Sequence, residues 1–271
     1  MLDDSLDLDE IVPTTFGYNF YKTKGRPREY ELYPMLKSLL LQRIFTIPTD
    51  KLLLIFLRFS AELREFCGFR IVPDASKLTR FKQDFIQGLQ LMFDNLVDLT
   101  EPICQKIDIE KATMVIFDTS GIEAWVRENN PKYADNLIKQ LKTWTKFKGL
   151  DDHFDPHKAA YAKMPTHAVA NPAIKQMYIN GHFCYAYKFG MITNGLGIVR
   201  DITFYNNEFL DAHPEIVALK KSDSPDEDKT LADSKALVPV LKDFLARHPL
   251  INPKIFFGIP LLIQVRFTSR Y

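Results

Sequence analysis

The clearest pattern in the chain is a short apolar run closed by a carboxylate. Met114, Val115, Ile116 and Phe117 are continuous, apolar and β-rich, as in a buried strand. Asp118 follows, then Thr119, Ser120 and Gly121, and these polar and small residues predict that the strand stops there. Asp118 is therefore expected at the C-terminal mouth of a central strand. A carboxylate held there suits a divalent metal beside a cleft. From this window alone, a turn cap is the commoner use of Asp before Thr-Ser-Gly.

Upstream, the apolar positions recur at helical spacing. Leu32, Met35, Leu36, Leu39, Leu40 and Ile44 define one helix, and Pro48-Thr49-Asp50 breaks it and caps the next. Residues 60–66 predict a short helix with Gly68 just past its end. Pro73-Asp74-Ala75-Ser76 restarts the pattern, with Asp74 or Ser76 as cap. One helix carrying Leu78, Phe81, Phe85, Leu89 and Met92 is expected to follow. Two short helices, a Gly turn and a longer helix with basic residues at its start outline a helix-turn-helix. A small helical bundle shares that outline. Lys77, Arg80 and Lys82 are the candidate phosphate contacts.

Downstream of the organising strand the chain becomes Lys-rich, with Trp125, Tyr133, Trp144, Phe147, Phe154 and Tyr161 interleaved. Such a stretch grips nucleic acid by charge and stacking, or packs as a helical insertion with its lysines in water. Strand signals return at 181–193 and 198–204, joined by Asn194-Gly195-Leu196-Gly197, a strong hairpin signal. Residues 211–220 and 231–247 read as helices. Residues 254–258 read as a last short strand that joins the sheet.

Composition adds bounds. With 271 residues, 46% hydrophobic and 25% charged, the chain is an ordinary globular protein. Its net charge is +1, yet Lys22 to Lys82 holds thirteen Lys or Arg against six Asp or Glu. Residues 1–28, with an acidic head and a basic end, read as an arm. Cys67, Cys104 and Cys184 are far apart and odd in number, which supports neither a disulfide framework nor a zinc knuckle and fits the cytoplasm. His153 and His157 are four apart, but Pro156 between them argues against a helix. These two, with His167, His182, His213 and His248, are read as non-ligands. The apolar runs are too short for a membrane span.

A strand ending in Asp, a hairpin, helices and another strand follow the order of an RNase H-like core. In that fold, carboxylates at the ends of neighbouring parallel strands share two metals about 3.5–4 Å apart. The combined blocks make the chain similar to a bacterial insertion-sequence transposase of the DDE type. One block is residues 60–69 with 73–81, which resembles the transposase N-terminal domain. The other runs through Phe117-Asp118-Thr119-Ser120, Tyr187-Lys188-Phe189-Gly190, Thr193 to Ile198, and Asp233-Ser234-Lys235 into Phe256-Phe257-Gly258.

The resemblance spans about Tyr30 to Gly258. With the arm at 1–28 read from its residues, it implies an α/β chain: a helical DNA-binding domain at 29–100 and a partial RNase H-like core at 101–258 with an insertion near 125–175. It implies Asp118 as the first catalytic carboxylate and metal ligand, Mg²⁺ as cofactor, and double-stranded DNA at element ends as partner. A homo-oligomer, or a hetero-oligomer with an intact transposase, is also implied.

The chain departs from the family after Gly258. Ile259 stands where the family carries its second Asp, and no carboxylate side chain follows Asp243 to provide the third, a Glu. Asp233 belongs to the helix before the strand. Residues 259–271 read as an aberrant tail, and the expectation is a C-terminally truncated transposase without catalysis. The alternatives are a DNA-binding or multimerising fragment that interferes with an intact transposase, and a helical interaction protein unrelated to DNA.

Overall fold

Residues 7–21, 27–149, 154–179, 181–218 and 233–258 are described by a computed structural model. The chain divides into two units, Met1–Ile103 and Cys104–Tyr271. The described elements are helices plus one mixed sheet of six strands.

The first unit is helical: α1 (Leu8–Ile11), α2 (Thr14–Phe20), α3 (Leu32–Ile44), α4 (Asp50–Phe59), α5 (Ala61–Cys67), α6 (Ala75–Asp84) and most of α7 (Ile86–Ile107). Its helix ends follow local chemistry. Thr49 and Ser60 cap α4 and α5, their hydroxyls accepting from Leu52 N and Leu63 N at 3.2 Å each. Gly68 ends α5 in the left-handed region at φ 85°. Asp74 takes the N-cap position of α6 without a side-chain cap bond.

Two expectations are corrected here. Residues 7–21 are not a free arm, because Leu8, Val12, Phe16 and Phe20 are buried in the same core as Leu32, Leu53 and Leu78. Their four-residue spacing is helical, but the acidic residues among them obscured it. Gly88 admits Phe16 so closely that a Cβ there would lie 2.6 Å from its ring. The single helix expected through Phe85 is two helices. Phe85 ends α6 and packs among Phe16, Phe20 and Phe81, with ring centroids 6.0, 5.1 and 5.6 Å away. A helical pattern survived the break because α7 resumes at the next residue.

The second unit holds α8 (Ile109–Ala112), β1 (Met114–Glu123), α9 (Pro131–Lys148), α10 (Pro156–Lys163), β2 (His167–Ala168), β3 (Asn171–Ile179) and β4 (His182–Thr193). It continues with β5 (Val199–Phe204), α11 (Asn207–Ala212), α12 (Pro214–Ala218), α13 (Asp233–Arg247) and β6 (Ile255–Gly258). β1 lies between β4, antiparallel, and β6, parallel. The other edge of β4 is shared: β3 pairs with its first half and β5 with its second.

The hairpin turn forms as its sequence predicts. Asn194 Oδ1 accepts from Leu196 N and Ile198 N, and Gly197 sits at φ 78°. Gly195 approaches α8 closely, donating its N–H to Lys111 O at 2.8 Å.

β1 does not stop at Asp118. It runs five residues further, paired with β4 from Thr119↔Gly190 to Glu123↔Ala186. Long-range pairing overrides the turn preference of Thr-Ser-Gly. Gly121 fits this strand because Met177 crosses it: a Cβ at Gly121 would lie 2.5 Å from Met177 Sδ.

Alternation along β1 buries Val115 and Phe117 on one face. Phe117 is in register with Ile192, and Ile192 with Asp201, so these three share that face. α13 covers it, burying Ala236, Val240 and Phe244 at four-residue intervals, and His248 just past its end is buried too. Its Arg247 is paired with the fully buried Asp201.

The Lys-rich segment folds as α9, α10, β2 and β3; α9 and α10 share one core, and a second is built together with Tyr185 of β4. Asn129 ties it to the sheet, donating to Ala124 O and Tyr185 O and accepting from Tyr185 N, all at 2.7 Å.

Candidate functional site

Asp118 stands one residue past the parallel pairing, which ends at Phe117↔Gly258. It is exposed, and its Oδ1 accepts from Thr119 N at 2.8 Å. It lies on the face away from Phe117, in the row of Met191 and Ile202. Asp201 is on the opposite face, where Thr203 Oγ1 donates to it at 2.7 Å and Arg247 neutralises it. Asp233 begins α13; its side chain, like all of residues 259–271, lies outside the described residues.

An Mg²⁺ ion wants several oxygen ligands in near-octahedral array. Among the described residues Asp118 belongs to no group of three carboxylate, His or Cys side chains.

The three basic residues of α6 are split. Lys77 and Arg80, three apart, share a helix face, whereas Lys82 points to the opposite side of α6 from Arg80. Lys77 Nζ is 3.2 Å from Glu29 Oε2, and Lys82 Nζ is 2.7 Å from Asp50 Oδ2. Arg80 is exposed. Lys77 and Arg80 line a cleft of about 360 Å³ with Phe20, Arg28, Glu29 and Asp84. Arg28 is held in place, donating to Phe20 O at 2.7 Å and stacking over the Phe20 and Phe85 rings at 4.6 Å each. The α5–α6 connection, residues 68–74, exceeds the three or four residues of a helix-turn-helix turn.

On α9, Lys139, Lys142 and Lys146 are exposed, as are Trp144 and Phe147. An open groove there is lined by Lys139, Thr143, Trp144 and Phe147. Cations beside exposed Phe147 and half-exposed Trp144, which packs on Phe154, provide the two elements of single-strand nucleic-acid contact. The buried carboxyl of Glu128 lies before this helix. Burial works to raise its pKa, but backbone N–H donors, Val169 among them, and Arg127 hold it below the usual range.

The structure brings together one set that the sequence pattern did not join. Glu123, His182 and Cys184 meet at the far end of β1 and β4. Two residues apart on a strand, His182 and Cys184 share a face. That spacing was the signal, missed because Glu123 lay beyond the predicted end of its strand.

Residues 2–84 match the family model described as "Transposase domain (DUF772)". The match supports a transposase-family protein. It covers α1 to α6 and ends at the break before Phe85, so the match takes in residues 7–21 together with Lys77 and Arg80. No curated protein and no solved structure matches the chain. Among the described residues, no helix is long and apolar enough to cross a membrane.

Proposed function

We propose that this chain binds double-stranded DNA at the ends of an insertion element and does not cleave it. The transposase-domain match over residues 2–84 carries this reading. Lys77 and Arg80 lie within that match on one helix face, and they are the residues proposed to touch phosphates. Lys82 is assigned to the ion pair with Asp50.

The second unit is proposed to be an RNase H-like core of the DDE type. Its support is the strand order β5-β4-β1-β6, with only the β1–β6 pair parallel within that run and α13 preceding β6. Asp118 is the first carboxylate of that core. Catalysis needs partners for it. Residue 259 is Ile, where the resemblance would place the second Asp, and Asp201 faces the other way. Among the described residues, Asp201 therefore does not supply Asp118 with a second carboxylate to share a metal.

The test is binding of the full chain to duplexes carrying candidate element ends, followed by fluorescence anisotropy across a salt series. Affinity should fall linearly with salt on logarithmic axes. Replacing both Lys77 and Arg80 by Ala should lower the slope by about 0.9 for each phosphate that is no longer neutralised. Lys82→Ala should leave the slope unchanged. Absence of duplex binding at low salt overturns the reading. Nicking with Mg²⁺ or Mn²⁺ that disappears in Asp118→Ala overturns its non-catalytic part.

A further inference from the structure

We propose that Glu123, His182 and Cys184 form a binding site for a borderline-soft divalent cation of the Zn²⁺ class, separate from Asp118. Strand geometry assembles the three. Glu123 is in register with Ala186, so Ala186, Cys184 and His182 follow one another along β4 on the face that Glu123 occupies. His182 Nε2 is 3.4 Å from Glu123 Oε2, and the ligand atoms of all three lie within 4.8 Å of one another.

A tetrahedral ion with ligands at about 2.0–2.3 Å sets its ligand atoms about 3.3–3.6 Å apart. The widest gap must close by about 1 Å to meet that geometry. The Glu123 and His182 side chains are 51% and 56% exposed and free to rotate by that amount. Cys184 is 2% exposed, so a fixed sulfur would serve as the anchor and the two surface ligands would close on it. Three protein ligands leave a fourth position for water.

The donor set determines the ion. Imidazole, thiolate and carboxylate suit Zn²⁺ and its analogues, whereas Mg²⁺ and Ca²⁺ take oxygen ligands. The site is also remote from Asp118. Five residues of strand place Glu123 about 16 Å along β1 from Asp118, on the other face. A bound ion would pin the ends of β1 and β4 to each other at the point where β3 joins the sheet.

The test is Co²⁺ titration of the full chain, read by absorption. The expected result is one equivalent bound with a thiolate-to-metal charge-transfer band, displaced by Zn²⁺ and not by Mg²⁺. Cys184→Ser should abolish the band. His182→Ala and Glu123→Gln, both at exposed positions, should each weaken binding at least tenfold, since loss of even a supporting partner costs about 10–100-fold. Asp118→Asn should leave the band intact, which separates this site from the proposed DNA chemistry. No binding, or a band that survives in both His182→Ala and Cys184→Ser, overturns the proposal.

Discussion

Asp118 and Asp201 stand on opposite faces of one sheet. Register links Phe117, Ile192 and Asp201 in one row, and Asp118 is one residue on from Phe117. A strand turns its side chains over at every step, so the two carboxylates cannot serve one ion. Asp201 is instead structural: fully buried, it receives Thr203 and Arg247.

Arg247→Met should therefore destabilise the second unit without touching Asp118. Removing one partner of a buried pair costs about 3–5 kcal/mol. The lower end applies here, because the Arg247 side chain is 34% exposed and Thr203 remains as a donor. Urea unfolding of the full chain measures this, and a midpoint equal to that of the parent would refute the structural role.

Gly121→Val should also destabilise the second unit. The added Cβ would meet Met177 Sδ at 2.5 Å and Ile179 Cδ1 at 2.8 Å. The atoms met are the far ends of part-buried side chains that can shift, so the cost falls at the low end of the about 1–3 kcal/mol typical of overpacking. If β1 instead ended at Asp118, the substitution would be nearly silent in thermal unfolding.

Ser60→Ala should cost the first unit about 1 kcal/mol through loss of the α5 cap. A second readout follows. The Glu62 carboxyl is held below its usual range first by its own backbone N–H and next by the Ser60 hydroxyl. Its pKa should rise in Ser60→Ala, as carbon-detected NMR titration would report. An unmoved Glu62 would mean that the hydroxyl does not reach it.

Stability should fall in alkali through Cys67. Burial pushes this thiol up to about 11, against an ordinary value near 9, with Lys37 acting weakly the other way. The folded state then holds the proton more tightly than the unfolded state. The contribution is intact below about pH 9 and is lost as pH rises through about 11. Comparing the parent with Cys67→Ala across that window isolates the effect, and parallel pH profiles would exclude it.

Much of this fold was legible locally. Thr49, Ser60 and Gly68 end helices by chemistry confined to a few residues, and Asn194 builds its turn the same way. The strand before Asp118 and its late partner at 255–258 were readable from short apolar runs. What escaped depended on distant partners. β3 opens Asn171-Pro172, which reads as a breaker, yet it pairs with β4 and buries Ile174. The extension of β1 past Asp118 exists because β4 is long enough to receive it, and Glu123 meets His182 only through that pairing. The four-residue repeat Leu8, Val12, Phe16, Phe20 was hidden by charges that face outward once the helices pack. Lys77 and Lys82 looked alike in sequence, yet each has an acidic partner, Glu29 and Asp50, and they stand on different sides of α6.

The shared edge of β4 divides one strand between two neighbourhoods. From His182 to Ala186 its neighbour is β3, and from Phe189 to Thr193 it is β5. Lys188 O, at the seam, accepts from Tyr205 N. The half beside β3 leans on α9, and the half beside β5 leans on α13. Amide exchange along this single strand should therefore fall into two protection classes, with the step near residues 187 and 188. An evolutionary lineage could lengthen or shed the α9–β3 segment at that seam while keeping the hairpin that faces Asp118.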